Sequence, residues 1–213
     1  MTTIIALTGP AGCGKDLVGE IMTTQMLRRD PNVKLRSLSF ASPIKEAVAA
    51  ILGCRVEDFE DRSFKEGSLL DSHNISKSPR QLMQLCGDEF GRQLIDDQIW
   101  IKIAEQRLDA AEDQGVDYLF ITDCRYSNEQ KWILENGGVV VYIDRQDAAP
   151  VAAHASEAGL SNPPCFILDN NGSIESLRTE VLELANILQP LEPVRLSIDD
   201  CTPSEWDALR RAF

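Results

Sequence analysis

The stretch that most limits how this chain can fold runs from Ile4 to Asp16. Ile4-Ile5-Ala6-Leu7 is apolar, and Gly9-Pro10-Ala11-Gly12-Cys13-Gly14-Lys15-Asp16 breaks the run. Helical spacing starts at once, with Leu17, Val18, Ile21, Met22 and Met26 on one side. A strand, a glycine-rich turn and a helix in direct succession open a βαβ unit, and G-x-x-x-x-G-K across the turn is the pattern of a loop that wraps a phosphate. The chemistry requires these residue types. Glycines let backbone N–H groups turn inward where side chains would clash. The helix start adds partial positive charge and Lys15 a full one. Ser or Thr usually follows the lysine and places a hydroxyl on Mg²⁺; here the residue is Asp16. A carboxylate ligates hard cations, and beside a polyphosphate it needs a metal between. The alternative is an acid favoured by the first helical turn.

With 213 residues, 43% hydrophobic, the chain has enough apolar surface for one well-cored domain. No stretch approaches the length of a membrane span, and the N-terminal apolar run is too short for a signal peptide. Six cysteines show no C-x-x-C pairing or metal-ligand spacing, as reduced cytoplasmic thiols would. A net charge of −13 argues against a nucleic-acid surface, so an anionic substrate must be held by a local cluster of Lys and Arg.

Further strands are expected at Val33–Phe40, Asp117–Thr122, Val139–Ile143 and Cys165–Leu168. Helices are expected from Ser42-Pro43, with Ser42 as cap, to Gly53; from Ser78-Pro79 to about Leu94; from Asp97 to about Glu112; from Ser127 to Glu135; and after the cap Ser173. Residues 54–77 read as polar and irregular, long enough to cover a substrate. Strands alternating with helices imply a mostly parallel sheet that binds ligands at the strands' C-terminal ends. Pro190 and Pro193 begin a tail.

Asp123 lies where a buried strand leaves the sheet, the place of a second Mg²⁺-organising carboxylate, or simply of a turn residue. Arg125, two residues on, faces the same crevice as a phosphate-binding cation. Arg145 follows the Val139–Ile143 strand at the crevice edge. Lys45 sits at a helix start, unfavourable for the dipole unless an anion binds there. Arg80, Gln84, Gly87-Asp88 and Gly91 recur on one side of their helix. That glycine-bearing stripe reads as a nucleotide's base and sugar site or as a solvated face.

Taken together, Thr8-Gly9 through Asp16, Ala41 to Ala47, Arg80 to Gln84 with Gly87-Asp88, Trp100-Ile101-Lys102, Thr122 to Arg125 with Glu129, and His154 to Leu160 resemble, in order, the deoxynucleoside monophosphate kinases of tailed bacteriophages. Several of these enzymes have Gly-Lys-Asp-Thr; this chain has Leu17 for that Thr, which moves any metal or phosphate contact onto Asp16. The resemblance implies a P-loop, three-layer αβα fold of the nucleoside monophosphate kinase type, with a mostly parallel five-stranded sheet. It implies a kinase domain over 1–190, a helical acceptor-binding insertion at about 54–115, and an accessory tail over 191–213. ATP would be the donor, held by Gly9, Ala11, Gly12, Cys13, Gly14, Lys15, Asp16 and Leu17. Mg²⁺ would lie on Asp16 and Asp123. A deoxynucleotide would lie among Lys45, Arg80, Gln84, Asp88, Trp100, Asp123, Arg125 and Glu157. Lys15, Asp16, Arg125 and Arg145 would carry the transfer. The implied setting is the cytoplasm, of a host if the chain is phage-encoded, with no nucleic-acid or membrane partner and with a homodimer left open. Two rivals remain: a kinase of another small acceptor, like dephospho-coenzyme A kinase, and a nucleotide-binding ATPase or regulator.

Overall fold

A computed structural model describes residues 1–146 and 162–189. Five strands form one sheet: β1 (Thr3–Thr8), β2 (Leu35–Leu38), β3 (Tyr118–Ile121), β4 (Val139–Asp144) and β5 (Phe166–Asp169). Their order is β2-β3-β1-β4-β5, and every pairing is parallel. The pleat of β1 explains the layering. Ile5 and Leu7 point to one face with Val141 and Ile143, against helix α1 (Lys15–Arg29) and helix α8 (Ile174–Leu188). Ile4 and Ala6 point to the other with Leu119, Ile121 and Val140, against α6 (Ile99–Asp113) and α7 (Ser127–Glu135). The chain moves one way along the sheet from β1 to β2 and back toward β3. A constant crossover hand therefore puts α1 and α6 on opposite faces. Ile4, Ile5, Ala6 and Leu7 are fully buried. Each large side chain among them contributes roughly 1.5–3 kcal/mol.

Between β2 and α6 the chain builds a third cluster. Helix α2 (Ser42–Leu52), a 3₁₀ turn (Val56–Glu60), α3 (Arg62–Glu66), α4 (Leu70–His73) and α5 (Pro79–Leu85) enclose Val48, Ala49, Leu52, Phe59 and Leu69. The segment read as irregular thus folds as short helical turns around Phe59, whose ring meets Phe64 edge-on at 5.6 Å. Among the described residues no helix is long and apolar enough to cross a membrane.

Three local expectations are corrected. Strand β2 stops at Leu38, because Ser39, Phe40 and Ala41 turn away to donate to Asp123. Ser42 does not cap α2: it lies inside the first turn, and its hydroxyl goes to Glu46 at 3.2 Å. The helix from Pro79 does not keep α winding. From Cys86 to Ile95 it widens to the π form and ends with Asp96 N–H donating to the Gly91 carbonyl. Its glycines answer close packing by side chains. A Cβ on Gly91 would stand 2.4 Å from the Trp100 ring, and one on Gly87 would stand 2.9 Å from Ile44 Cδ1. The expected spans of α7 and β4 hold within a residue, and Ser173 caps α8 by accepting from Ser176 N–H at 3.1 Å. Pro190, the tail over 191–213 and the segment His154 to Leu160 lie outside the described residues.

Candidate active site

The loop between β1 and α1 has the shape that its glycines permit. Gly9 and Gly14 take φ of 140° and 99°, a region L side chains rarely enter. A Cβ on Gly9 would meet the Ile143 carbonyl at 2.7 Å, and one on Gly14 would meet Asn170 Nδ2 at 2.8 Å. Cys13 is buried beneath the loop, and Leu17 packs against the core below it. Neither side chain faces a ligand, so both serve the loop through their backbone. Helix α1 has no side-chain cap, which leaves its first N–H groups for a bound anion. Lys15 Nζ donates to the carbonyls of Gly9 and Pro10 at 3.0 and 2.9 Å. Asp16 is exposed, with no hydrogen bond or ion pair among the described residues.

Two contacts hold the loop from the far side of the sheet. Asn170, just past β5, donates through Nδ2 to the Cys13 carbonyl at 2.7 Å. Arg145, just past β4, donates to the Gly12 carbonyl at 3.4 Å. Asn170 was not foreseen, although it stands at a strand's C-terminal end, where such a residue could be sought.

One cavity of about 540 Å³ begins at Ala11, Gly12, Lys15 and Asp16 and continues past the ends of β2 and β3. It brings together Lys45, Arg80, Gln84, Asp88, Trp100, Asp123 and Arg125, residues scattered over some eighty positions of sequence. Asp123 spends its carboxylate on the protein. Oδ2 accepts from Ser39 Oγ at 2.6 Å and Ala41 N–H at 2.9 Å, and Oδ1 from Phe40 N–H at 3.1 Å. Trp100 donates its indole N–H to the Gly87 carbonyl at 2.8 Å and so offers the cavity ring surface. Lys45 pairs with Glu60 at 2.6 Å, and Arg80 with Glu66 at 2.7 Å. Glu157 falls outside the described residues.

Four lining residues were missed or noticed only in passing. Arg92 and Glu129 form a buried ion pair at 2.6 Å, and the Arg92 guanidinium lies 3.9 Å over the Tyr126 ring. Glu129 also accepts from the N–H groups of Arg125 and Tyr126 at 2.9 and 3.1 Å. Burial pushes the Glu129 carboxyl up to about 7, against the opposing pull of those amides and of Arg92. The pair thereby ties the π segment to the loop that carries Arg125. Lys65, on α3, is the fourth. Burial first, then the charges of Lys45, Arg80 and Arg125, hold its ammonium below the usual lysine range. No spacing rule marks Arg92, Tyr126 or Lys65, because each reaches the cavity through tertiary packing.

Among the described residues no group of three or more His, Cys, Asp or Glu could enclose a metal ion. The donor set does fit Mg²⁺ held mainly by phosphate and water, since Asp16 is an unengaged carboxylate at the loop.

Comparison with known proteins agrees with this geometry. The family model for deoxynucleotide monophosphate kinase matches residues 57–181. The chain is 28% identical to the deoxynucleoside-5'-monophosphate kinase of Escherichia phage T5, over 90% of this chain and 99% of that one. It is 23% identical to an Acanthamoeba polyphaga mimivirus protein named for the same activity, over 84% of this chain and 94% of that one. Shikimate kinase from Aquifex aeolicus is a solved structure with similarity to it, at 14% identity and a TM-score of 0.43, covering 87% of this chain and 98% of that one. A family match over more than half its length, on a chain whose phosphate-type loop opens into a cavity lined with cations, places this protein in the deoxynucleotide monophosphate kinase family.

Proposed function

We propose that the protein transfers the γ-phosphoryl group of ATP to a deoxynucleoside monophosphate, giving ADP and the diphosphate. The observation that carries the reading is a single cavity with the glycine loop and Lys15 at one end and Lys45, Arg80 and Arg125 elsewhere on its wall, in a chain of net charge −13. Phosphoryl transfer asks for positioned phosphates and neutralised charge rather than covalent chemistry by the protein.

In this reading Lys15 and the loop N–H groups hold the β- and γ-phosphates of the donor, and Arg145 steadies the transferring group from the loop's edge. Arg80, Arg125 and Lys45 hold the acceptor phosphate, and Gln84, Asp88 and Trp100 border its sugar and base. The acceptor phosphate is already anionic, so no general base is required. Asp16 would hold Mg²⁺ at the loop, where the ion would supply charge neutralisation for the donor phosphates. Asp123 fixes the β2–α2 corner, which carries Lys45, more than it serves a metal. Residues 54–95 form the acceptor-covering part, and α6 belongs to the sheet's own helical layer. Glu157 stays an acceptor residue on resemblance alone.

The test is a coupled assay with ATP and the four deoxynucleoside monophosphates beside their ribose counterparts and dephospho-coenzyme A. Lys15→Ala should lower kcat by about 100-fold or more with any accepted nucleotide. Transfer to dephospho-coenzyme A alone, or ATP hydrolysis with no phosphorylated product, would replace this reading by a rival.

A further inference from the structure

The cation cluster contains a residue that neither the sheet, α2 nor α5 supplies. Lys65 lies on α3, within the segment read from sequence as irregular, and lines the cavity with Lys45, Arg80 and Arg125. It is half-buried, yet it makes no hydrogen bond and no ion pair among the described residues. The nearby acids are engaged elsewhere: Glu60 with Lys45, and Glu66 with Arg80. Three like charges act on Lys65, and Glu60 is the one carboxylate that opposes them.

Lys65 lines the cavity without a carboxylate partner among the described residues, and crowding it among three cations costs free energy in the folded protein. Such local conflicts are found where a ligand relieves them. Lys45, Lys65, Arg80 and Arg125 line the cavity together, and a phosphate is the anion that such a cluster of cations would take. A lysine suits this position: its flexible stem lets the ammonium follow a phosphate from the short α3 helix, while the forked Arg80 and Arg125 fix orientation.

We propose that Lys65 is a fourth ligand of the acceptor's phosphate, brought to it by the α3 turn of the segment that covers the cavity. The inference rests on the acceptor-site reading above. It implies that binding the acceptor draws α3 onto the phosphate, so that the segment over residues 56–66 reports acceptor occupancy and not donor occupancy.

Lys65→Met keeps most of the stem and removes the charge. It should raise the KM for a deoxynucleoside monophosphate about 10-fold or more, the effect of losing one charge-assisted contact at a half-exposed site. Equilibrium ATP binding should be unchanged. Inhibition by the corresponding deoxynucleoside, which lacks the phosphate, should also be unchanged, and Lys65→Arg should restore most of the affinity. An unaltered KM would overturn the proposal. So would an equal weakening of nucleotide and nucleoside binding, because that pattern marks a structural role. Arg80→Ala is measured alongside. If it weakens acceptor binding and Lys65→Met does not, only the role of Lys65 fails. If neither does, the acceptor site itself is misplaced.

Discussion

Two aspartates 107 positions apart in the sequence show how much the surroundings of a carboxylate decide its work. Asp123 accepts three hydrogen bonds from the β2–α2 corner, while Asp16 is exposed and accepts none among the described residues. Asp123→Asn would turn an amide NH₂ toward N–H and O–H donors. It should destabilise the fold by roughly 1–3 kcal/mol, a Tm loss of about 2–4 °C for each kcal/mol in a protein of this size. Asp16→Asn should leave Tm within about 1 °C, since it breaks no contact, and should instead raise the Mg²⁺ concentration needed for half-maximal rate. Thermal unfolding without nucleotide, run beside a metal titration of the rate, separates the two. A metal effect confined to Asp123→Asn would exchange their roles.

At the scale of elements, the Arg92–Glu129 pair joins the π segment to the loop before α7. With the Glu129 carboxyl at about 7, acidification protonates it and leaves a buried guanidinium facing a neutral acid. The Arg125 backbone then loses its anchor. Catalytic efficiency toward the acceptor should therefore fall as pH drops below about 7. A phosphate monoester's own second ionisation, near ~6, adds to that limb. Glu129→Gln should abolish the upper part of the fall and keep the substrate's part; an identical profile in the variant would remove Glu129 from the explanation. For stability the sign is opposite. The folded protein holds this proton more tightly than the unfolded chain, whose glutamate titrates near ~4.3. The stabilising contribution is complete below that pH and is lost as pH rises through about 7. In the same segment Gly91→Ala would drive a methyl group into the Trp100 ring, at a cost of about 1–3 kcal/mol.

For the whole molecule, the apolar core is divided. Two clusters sandwich the sheet, and a third lies within α2, the short turns and α5. Lys45–Glu60 and Arg80–Glu66, which bridge α2 and α5 to the covering turns, have partly exposed acids and are each worth about 1 kcal/mol or less. The apolar cluster around Phe59, rather than these ion pairs, holds the turns against α2 and α5. Amide hydrogen exchange should show which ligand these turns cover. A deoxynucleoside monophosphate alone should slow exchange across residues 56–66, and ATP alone should slow it around residues 9–18. Protection of β1 and β3 should hardly change with either. Protection of 56–66 by ATP alone would assign the cover to the donor.

Much of this architecture is local information. The β1–loop–α1 start is legible because one strand period, three glycines and one helix period adjoin in sequence. Strands β3 and β4 are legible because burial on both faces demands unbroken apolar runs. Lys45 could be picked out at a helix start, Arg125 beyond a strand end and Arg80 on a polar helix stripe, all in an acidic chain. What only the tertiary structure decided depends on residues distant in sequence. Asp123 is an anchor because Ser39 and Phe40 come to it. Gly87 and Gly91 are required by Ile44 and Trp100, and the π winding goes with that packing. Arg92, Tyr126 and Lys65 line the cavity although nothing in their local spacing marks them. Periodicity reports which face of an element is apolar; it carries no record of which polar groups the folded chain will bring within a few ångströms of one another.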